Sequence, residues 1–308
     1  MAGCPADEIW CLDRLSLRAV WKVDSQDEIV RSVLGGGAFA SDGYRGATIR
    51  SCDDGQELWK LQGEARLHVL DGSSVLCSRG NAIQIRDRLT GEELRSVPCA
   101  GFVVGRVAGP LWVTQHRDGL AGVDVERGVE VWRRERWVVE RREMVLDQRL
   151  FVTISDRDVF GTVASGVVRI SGETGDVVWT ASEEALGVGG QRWFAQTPPV
   201  VADPWVVIAG DLGEFVAMDA TTGAIVSNRG RRLEKQLRGR PAISYKNRIA
   251  KCFEFGGGLA IYTAPEGDLV RFVEHKWPLW DLKEVDGRLF VSTGDGVLLV
   301  YDESIWGL

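Results

Sequence analysis

Histidine is scarce in this 308-residue chain: there are three, His68, His116 and His275, and none stands in an H-x-x-x-H pair or a similar metal-holding spacing. His116 falls in Gln115-His116-Arg117-Asp118 and is read as a solvated loop residue. No Cys-Cys dipeptide and no C-x-x-C occurs among the six cysteines (Cys4, Cys11, Cys52, Cys77, Cys99, Cys252). Their scatter fits reduced, mostly buried thiols in a cytoplasmic protein better than a disulfide frame or a zinc site. No apolar run reaches about 18 residues, so no membrane-spanning helix is expected. Ala2-Gly3-Cys4 resembles the end of a lipoprotein signal, but no basic region or apolar stretch precedes it, and it is read as coincidence. Gly35-Gly36-Gly37 and Gly256-Gly257-Gly258 precede neither Lys-Ser/Thr nor a helical pattern, which excludes a phosphate loop. A net charge of -7 argues against a general nucleic-acid binder.

What the chain does have is 37 glycines, 12 tryptophans and a repeat. Gly166 to Thr180, GVVRISGETGDVVWT, alternates apolar and polar residues on either side of a Thr-Gly turn, the pattern of a hairpin. The turn position recurs at Leu17, Gly55, Gly91, Gly128, Gly175, Gly223 and Gly267. Four residues after each stands a closing position: Trp21, Trp59, Arg95, Trp132, Trp179, Ser227 and Arg271. Asp13, Asp87, Asp124 and Asp219, four residues before the turn position, are expected to cap the turns through their side chains. A period of about 35 to 50 residues with four short strands is the mark of a propeller blade. One blade cannot bury its own apolar face, so the repeats must stack.

The expected fold is therefore all-β: one domain over residues 1–308, a seven-bladed β-propeller of four-stranded antiparallel blades. Blades one to three occupy residues 29–61, 66–97 and 102–133. Blade four is read as Arg142–Leu146, Arg149–Ser155, Val167–Ser171 and Asp176–Thr180, with an insert at Asp156–Ser165. Blades five and six occupy residues 200–227 and 242–273, and the last runs from Asp281 to Tyr301, with a fourth strand at Ser304–Trp306. An N-terminal hairpin within residues 7–23 is left to lie beside the last blade, so that strands from both termini close the ring and no edge is exposed. Eight blades is the alternative, with the hairpin and the C-terminus in separate sheets.

EFVAMDATTGAIV and GVVRISGETGDVVW resemble the pyrroloquinoline-quinone-type propeller repeat, D-G-x-hydrophobic-x-A-x-D-x-x-T-G-x-x-x-W, and the resemblance covers almost the whole chain. It implies that Trp21, Trp59, Trp132 and Trp179 dock between blades near a turn glycine. Leu17, Arg95, Ser227 and Arg271 depart from that pattern. The family's dehydrogenases hold the quinone with calcium, an adjacent cysteine pair and a stacking Trp. With no Cys-Cys pair and no assignable calcium set, the chain is expected to be no enzyme and to carry neither cofactor nor metal.

Strands are labelled A to D from the axis outward. The short Thr-Gly turns are C–D turns. The longer stretches at 156–165 (taken as B–C), 181–199, 228–241 and 273–280 (taken as D–A) then all leave from the opposite edge, a pattern of recognition. Arg229, Arg231, Arg232, Lys235, Arg238, Arg240, Lys246, Arg248 and Lys251 form a basic cluster opposed only by Glu234, suited to an acidic partner surface. For RNA it offers a single interleaved aromatic, Tyr245. The expectation is a monomeric, cytoplasmic, non-catalytic interaction or regulatory subunit in a bacterial multiprotein system: a scaffold, an inhibitor or a regulated target. Its protein partner is met by Arg231, Arg232, Arg238 and Arg240, with Trp193, Phe194 and Trp277 as anchors. The alternative is a carbohydrate- or small-ligand-binding propeller using Trp112, Trp193, Trp205, Trp277 and Trp280. A quinone-dependent dehydrogenase and an envelope-assembly lipoprotein rank below these.

Overall fold

In the computed structural model the described residues are 8–13, 16, 18–24, 31–35, 38–43, 46–63, 65–71, 73–79, 81–99, 101–116, 119–134, 137–139, 142–144, 151–155, 157–163, 166–182, 184–186, 198–210, 214–229, 239–253, 258–293 and 298–301. Among them there are strands and turns but no helix. The fold is a seven-bladed β-propeller, six blades described with all four strands and the last with three.

The chain divides into two compact units. In Pro5–Arg133, β1 (Glu8–Leu12) and β2 (Ala19–Asp24) form an antiparallel hairpin. Blade one is the meander β3 (Arg31–Gly35), β4 (Ala38–Gly43), β5 (Gly46–Ser51), β6 (Glu57–Gln62). Blade two is β7 (Arg66–Asp71), β8 (Ser74–Arg79), β9 (Ala82–Asp87), β10 (Glu93–Pro98). Blade three is β11 (Phe102–Ala108), β12 (Leu111–His116), β13 (Gly119–Asp124), β14 (Val129–Arg134).

The second unit, from Arg134 to Leu308, opens with a small hairpin, β15 (Trp137–Val139) and β16 (Arg142–Met144). Blade four is β17 (Phe151–Ser155), β18 (Asp158–Val163), β19 (Gly166–Ser171), β20 (Val177–Ser182). Blade five is β21 (Val200–Ala202), β22 (Trp205–Ala209), β23 (Phe215–Asp219), β24 (Ile225–Arg229). Blade six is β25 (Gly239–Tyr245), β26 (Arg248–Phe253), β27 (Gly258–Thr263), β28 (Leu269–Glu274). Blade seven is β29 (Leu279–Val285), β30 (Arg288–Thr293), β31 (Leu298–Tyr301). Its expected fourth strand at Ser304–Trp306 lies outside the described residues, as does Leu17.

Blade four corrects the sequence reading. The stretch taken as an insert, Asp156–Ser165, contains strand B (β18), and Phe151–Ser155, taken as strand B, is strand A. Asp156-Arg157-Asp158 and Gly161 gave the segment the look of a loop. Burial decides otherwise: Val159 and Phe160 are both in the core, and Phe160 packs on Trp179 with ring centroids 6.2 Å apart. Removing such surface from water outweighs one strand glycine.

Burial follows position within the blade. Strands B and C are enclosed on both faces, as in β13 and β27, whereas the outer D strands β24 and β28 are mostly exposed. The core is a series of layers between blades. Phe160, Val167 and Trp179 of blade four meet Val206, Ile208, Val216 and Met218 of blade five.

The C–D turns are built alike. The N–H of Gly91 donates to the Asp87 carbonyl at 3.0 Å, and Gly55, Gly128, Gly175, Gly223 and Gly267 make the same bond to Ser51, Asp124, Ser171, Asp219 and Thr263. The Asp caps form as expected. Asp219 Oδ1 accepts from the N–H of Thr221 and Thr222 and from the Thr222 hydroxyl, and Asp87 does the same with Leu89 and Thr90. These bonds, the Thr N–H first, hold both carboxyls below their ordinary range.

Three of the four tryptophans dock as the repeat implies, while the Trp132 indole lies against Gly122 of its own blade. Trp21, Trp59 and Trp179 donate from Nε1 to the carbonyls of Cys52, Arg88 and Ala220 in the next C–D turn, at 2.7, 2.7 and 2.9 Å. Where the closing residue is not Trp, other donors reach the turn: Arg95 Nη1 to the Val125 carbonyl at 3.2 Å, and Ser227 Oγ to that of Glu266 at 2.9 Å. Under Gly267 the place of the indole is taken by Phe215.

Candidate functional site

Within Arg134–Leu308 the two longest connections between blade strands run from a D strand to the next A strand, residues 183–199 between β20 and β21 and 230–238 between β24 and β25. The expected insert at 273–280 shrinks to the short connection 275–278, because β28 runs on to Glu274 and β29 begins at Leu279. The β15–β16 hairpin and its flanks likewise occupy the stretch before strand A of blade four. In a four-stranded meander the D–A connections leave from the edge opposite the C–D turns. With 156–165 removed as an insert, the excess of chain lies in the D–A connections 183–199 and 230–238 and in the stretch that holds the β15–β16 hairpin.

Residues 275–278 are described throughout. Trp277 is 46% exposed, and Lys276 Nζ lies 5.3 Å from its ring centroid. A cation over an exposed indole is worth about 0.5–1 kcal/mol, enough to bias the ring's orientation. The base of the loop is fastened by His275, whose Nε2 is hydrogen-bonded to the Tyr301 hydroxyl, the two rings meeting edge to face. An apolar surface of this size left in water on a short, anchored loop is the type of residue that carries interface energy.

The connection at 183–199 is pinned at both ends. Leu186 is fully buried among the core residues of blades four and five, and its carbonyl accepts from Asn228 Nδ2 at 2.5 Å. Thr153 Oγ1 donates to the Pro199 carbonyl at 2.5 Å.

The other expected anchors divide as follows. Arg231, Arg232, Arg238, Trp193 and Phe194 lie outside the described residues, and Arg240 is placed only as a backbone position in β25. Lys251 leaves the basic cluster: it is 0% exposed, with Nζ donating to the Ala209 carbonyl at 2.5 Å and lying 5.6 Å from the Phe253 ring centroid. Arg229 is engaged with Asp268 at 3.4 Å and the Glu266 carbonyl at 3.0 Å. Tyr245 is 3% exposed and donates to the Gly287 carbonyl, so it offers no stacking face to a base. Of the tryptophans considered for a sugar site, Trp112 is core and Trp205 packs against the layer between blades five and six. Among the described residues no cluster of three or more His, Cys, Asp or Glu could hold a metal ion.

Sequence reasoning missed the groups beneath the Trp277 loop. Burial lowers the His275 imidazole below 6.5. Burial first, and the Cys252 charge second, push the Tyr301 phenol up to about 12, and burial pushes the Cys252 thiol from 9.0 to about 12. Both are raised in the folded state, so the stability they lend is fully present below the unfolded value, 9.0 for Cys252, and is lost as pH rises toward 12. At about pH 10.5 the wild type is expected to have lost about 2 kcal/mol through Cys252, and Cys252→Ala to be flatter over the same range. Urea midpoints measured from neutral pH upward check this; parallel profiles for the two proteins would remove Cys252 as the cause.

No family model and no curated protein sequence matches the chain. Its fold matches solved structures. BamB from Moraxella catarrhalis superposes with a TM-score of 0.70 over 92% of this chain and 86% of its own, at 15% identity. The dihydro-heme d1 dehydrogenase NirN, solved in complex with DHE, gives 0.71 over 99% and 70%, at 15% identity. The C-terminal WD40 domain of Sif2 gives 0.60 over 91% and 83%, at 14% identity. At such identities the likeness is one of fold, and the fold this chain shares with all three is the β-propeller.

Proposed function

We propose that this propeller is a non-catalytic interaction subunit that binds another protein through the D–A connections of blades four to seven. The observation that carries the reading is Trp277, an indole 46% exposed on a loop held by His275 and Tyr301, on the edge from which the long connections leave. Arg231, Arg232 and Arg238 of the neighbouring connection, with Arg240 of β25, supply the positive charge that selects an acidic partner surface. In this reading the free protein is a cytoplasmic monomer, and the chain serves as a scaffold, an inhibitor or a regulated target.

The test is capture by the immobilised protein, identification of the bound chain, and titration of the purified pair. Trp277→Ala is expected to weaken binding about 30-fold, the loss of about 2 kcal/mol that marks an interface anchor. Arg231→Glu with Arg232→Glu is expected to slow association and flatten its salt dependence. Affinity unchanged in both variants would overturn the surface. A redox cofactor band in the purified protein would overturn the non-catalytic assignment.

A further inference from the structure

The fold brings together two cysteines that are distant in the chain. Cys11 stands on β1 opposite Trp21, and Cys52 lies in the C–D turn of blade one. The Cys11 thiol donates to the Cys52 carbonyl oxygen at 4.0 Å, across a separation of 41 residues. The Trp21 indole donates to the same oxygen at 2.7 Å, so this turn is held against the hairpin by two neighbouring side chains.

The repeat itself makes this placement. The residue paired with the closing position meets the residue three before the next turn glycine. At the equivalent junction, Arg169, paired with Trp179, donates from Nη1 to the Ala220 carbonyl at 2.8 Å. The corresponding pairs are Ile49 with Arg88 and Ile85 with Val125. At the first junction both positions are cysteine. Cys11 and Cys52 are half-buried, whereas Cys77, Cys99 and Cys252 are buried. Burial raises both thiols, and the charge of Cys11 adds to the rise at Cys52, as expected of two sulfurs that share a site.

We propose that Cys11 and Cys52 are a redox-active dithiol whose oxidant is a low-molecular-weight disulfide of the glutathione type. The thiolate of one cysteine attacks a sulfur of the oxidant, forming a mixed disulfide and expelling the first small thiolate. The second cysteine, having lost its proton to solvent, attacks the protein sulfur of that mixed disulfide and expels the second. Two protein thiols are oxidised to one Cys11–Cys52 bond, and one small disulfide is reduced to two thiols. The bond ties β1 to the C–D turn of blade one. Because the thiolate is the nucleophile and both thiols are raised, the reaction speeds up from neutral to mildly alkaline pH.

The experiment incubates the full chain with oxidised glutathione and follows intact mass, disulfide mapping and melting temperature. Expected are the loss of two hydrogens, a Cys11–Cys52 linked peptide, and a melting temperature higher by about 5 °C that dithiothreitol reverses. Cys11→Ser and Cys52→Ser each abolish all three; Cys11→Ser, on the β1 side, carries the control should the turn variant fail to fold. A lasting glutathione adduct on either residue, a link to any other cysteine, or no reaction where a free dithiol peptide oxidises would overturn the proposal.

Discussion

Replacing Gly223 with alanine is expected to lower the free energy of unfolding by about 3 kcal/mol, and replacing Gly128 by about 1 kcal/mol. Both glycines have φ +72°, so the backbone strain on adding a Cβ is the same. The surroundings differ. At Gly223 the new carbon would lie 2.7 Å from Cδ2 of Trp179, while at Gly128 it meets only Val97 Cγ2, at 3.9 Å. Trp179 has little room to retreat, because its indole donates to the Ala220 carbonyl and its ring packs on Phe160. Urea denaturation of the two variants checks the difference, and a smaller closing residue in the Gly223→Ala background should recover part of it. Equal losses would place the whole cost in the backbone and undo the docking argument.

Lys251→Ala is expected to cost about 4 kcal/mol, and Lys251→Met about half of that. Alanine leaves both a void in the layer between blades five and six and the Ala209 carbonyl without its ammonium donor. Methionine refills the volume and loses only the polar contact. Chemical denaturation ranks the three proteins. A loss below about 1 kcal/mol for Lys251→Ala would mean that the fold yields at this site and that the buried charge is dispensable.

What was legible in the sequence was local. A glycine at φ near +72° and an Asp whose carboxylate caps the same turn announce themselves within one hairpin, as at Asp87–Gly91 and Asp219–Gly223, and the Trp at fixed spacing in the hairpin before, Trp59 or Trp179, is found docked on that turn. The last blade's closing strand and most of the recognition anchors fall outside the described residues, so Trp277 is the expected anchor whose exposure is known. Lys251 was misread because a charged side chain in a one-dimensional pattern reads as surface. Its neighbours Ile249 and Phe253 point the same way and are fully buried, and in a strand B enclosed on both sides no face was left for solvent. Strand B of blade four was hidden by Asp158 and Gly161, whose loop-like chemistry is overridden by the packing of Val159 and Phe160. The Cys11–Cys52 encounter became readable only once the junction geometry was known, since it depends on contact between different sheets.

The two edges of each blade answer differently to added sequence. At the C–D edge an extra residue would displace the carbonyl that a tryptophan, arginine or serine of the preceding blade holds, so errors there propagate sideways. At the D–A edge the loop is tied at its base, by His275 to Tyr301, and Trp277 beyond that tie is 46% exposed. Grafted peptides or whole modules can be spliced in at that point while the joinery of the wheel stays fixed, which makes one rim a chassis and the other a socket open to evolution.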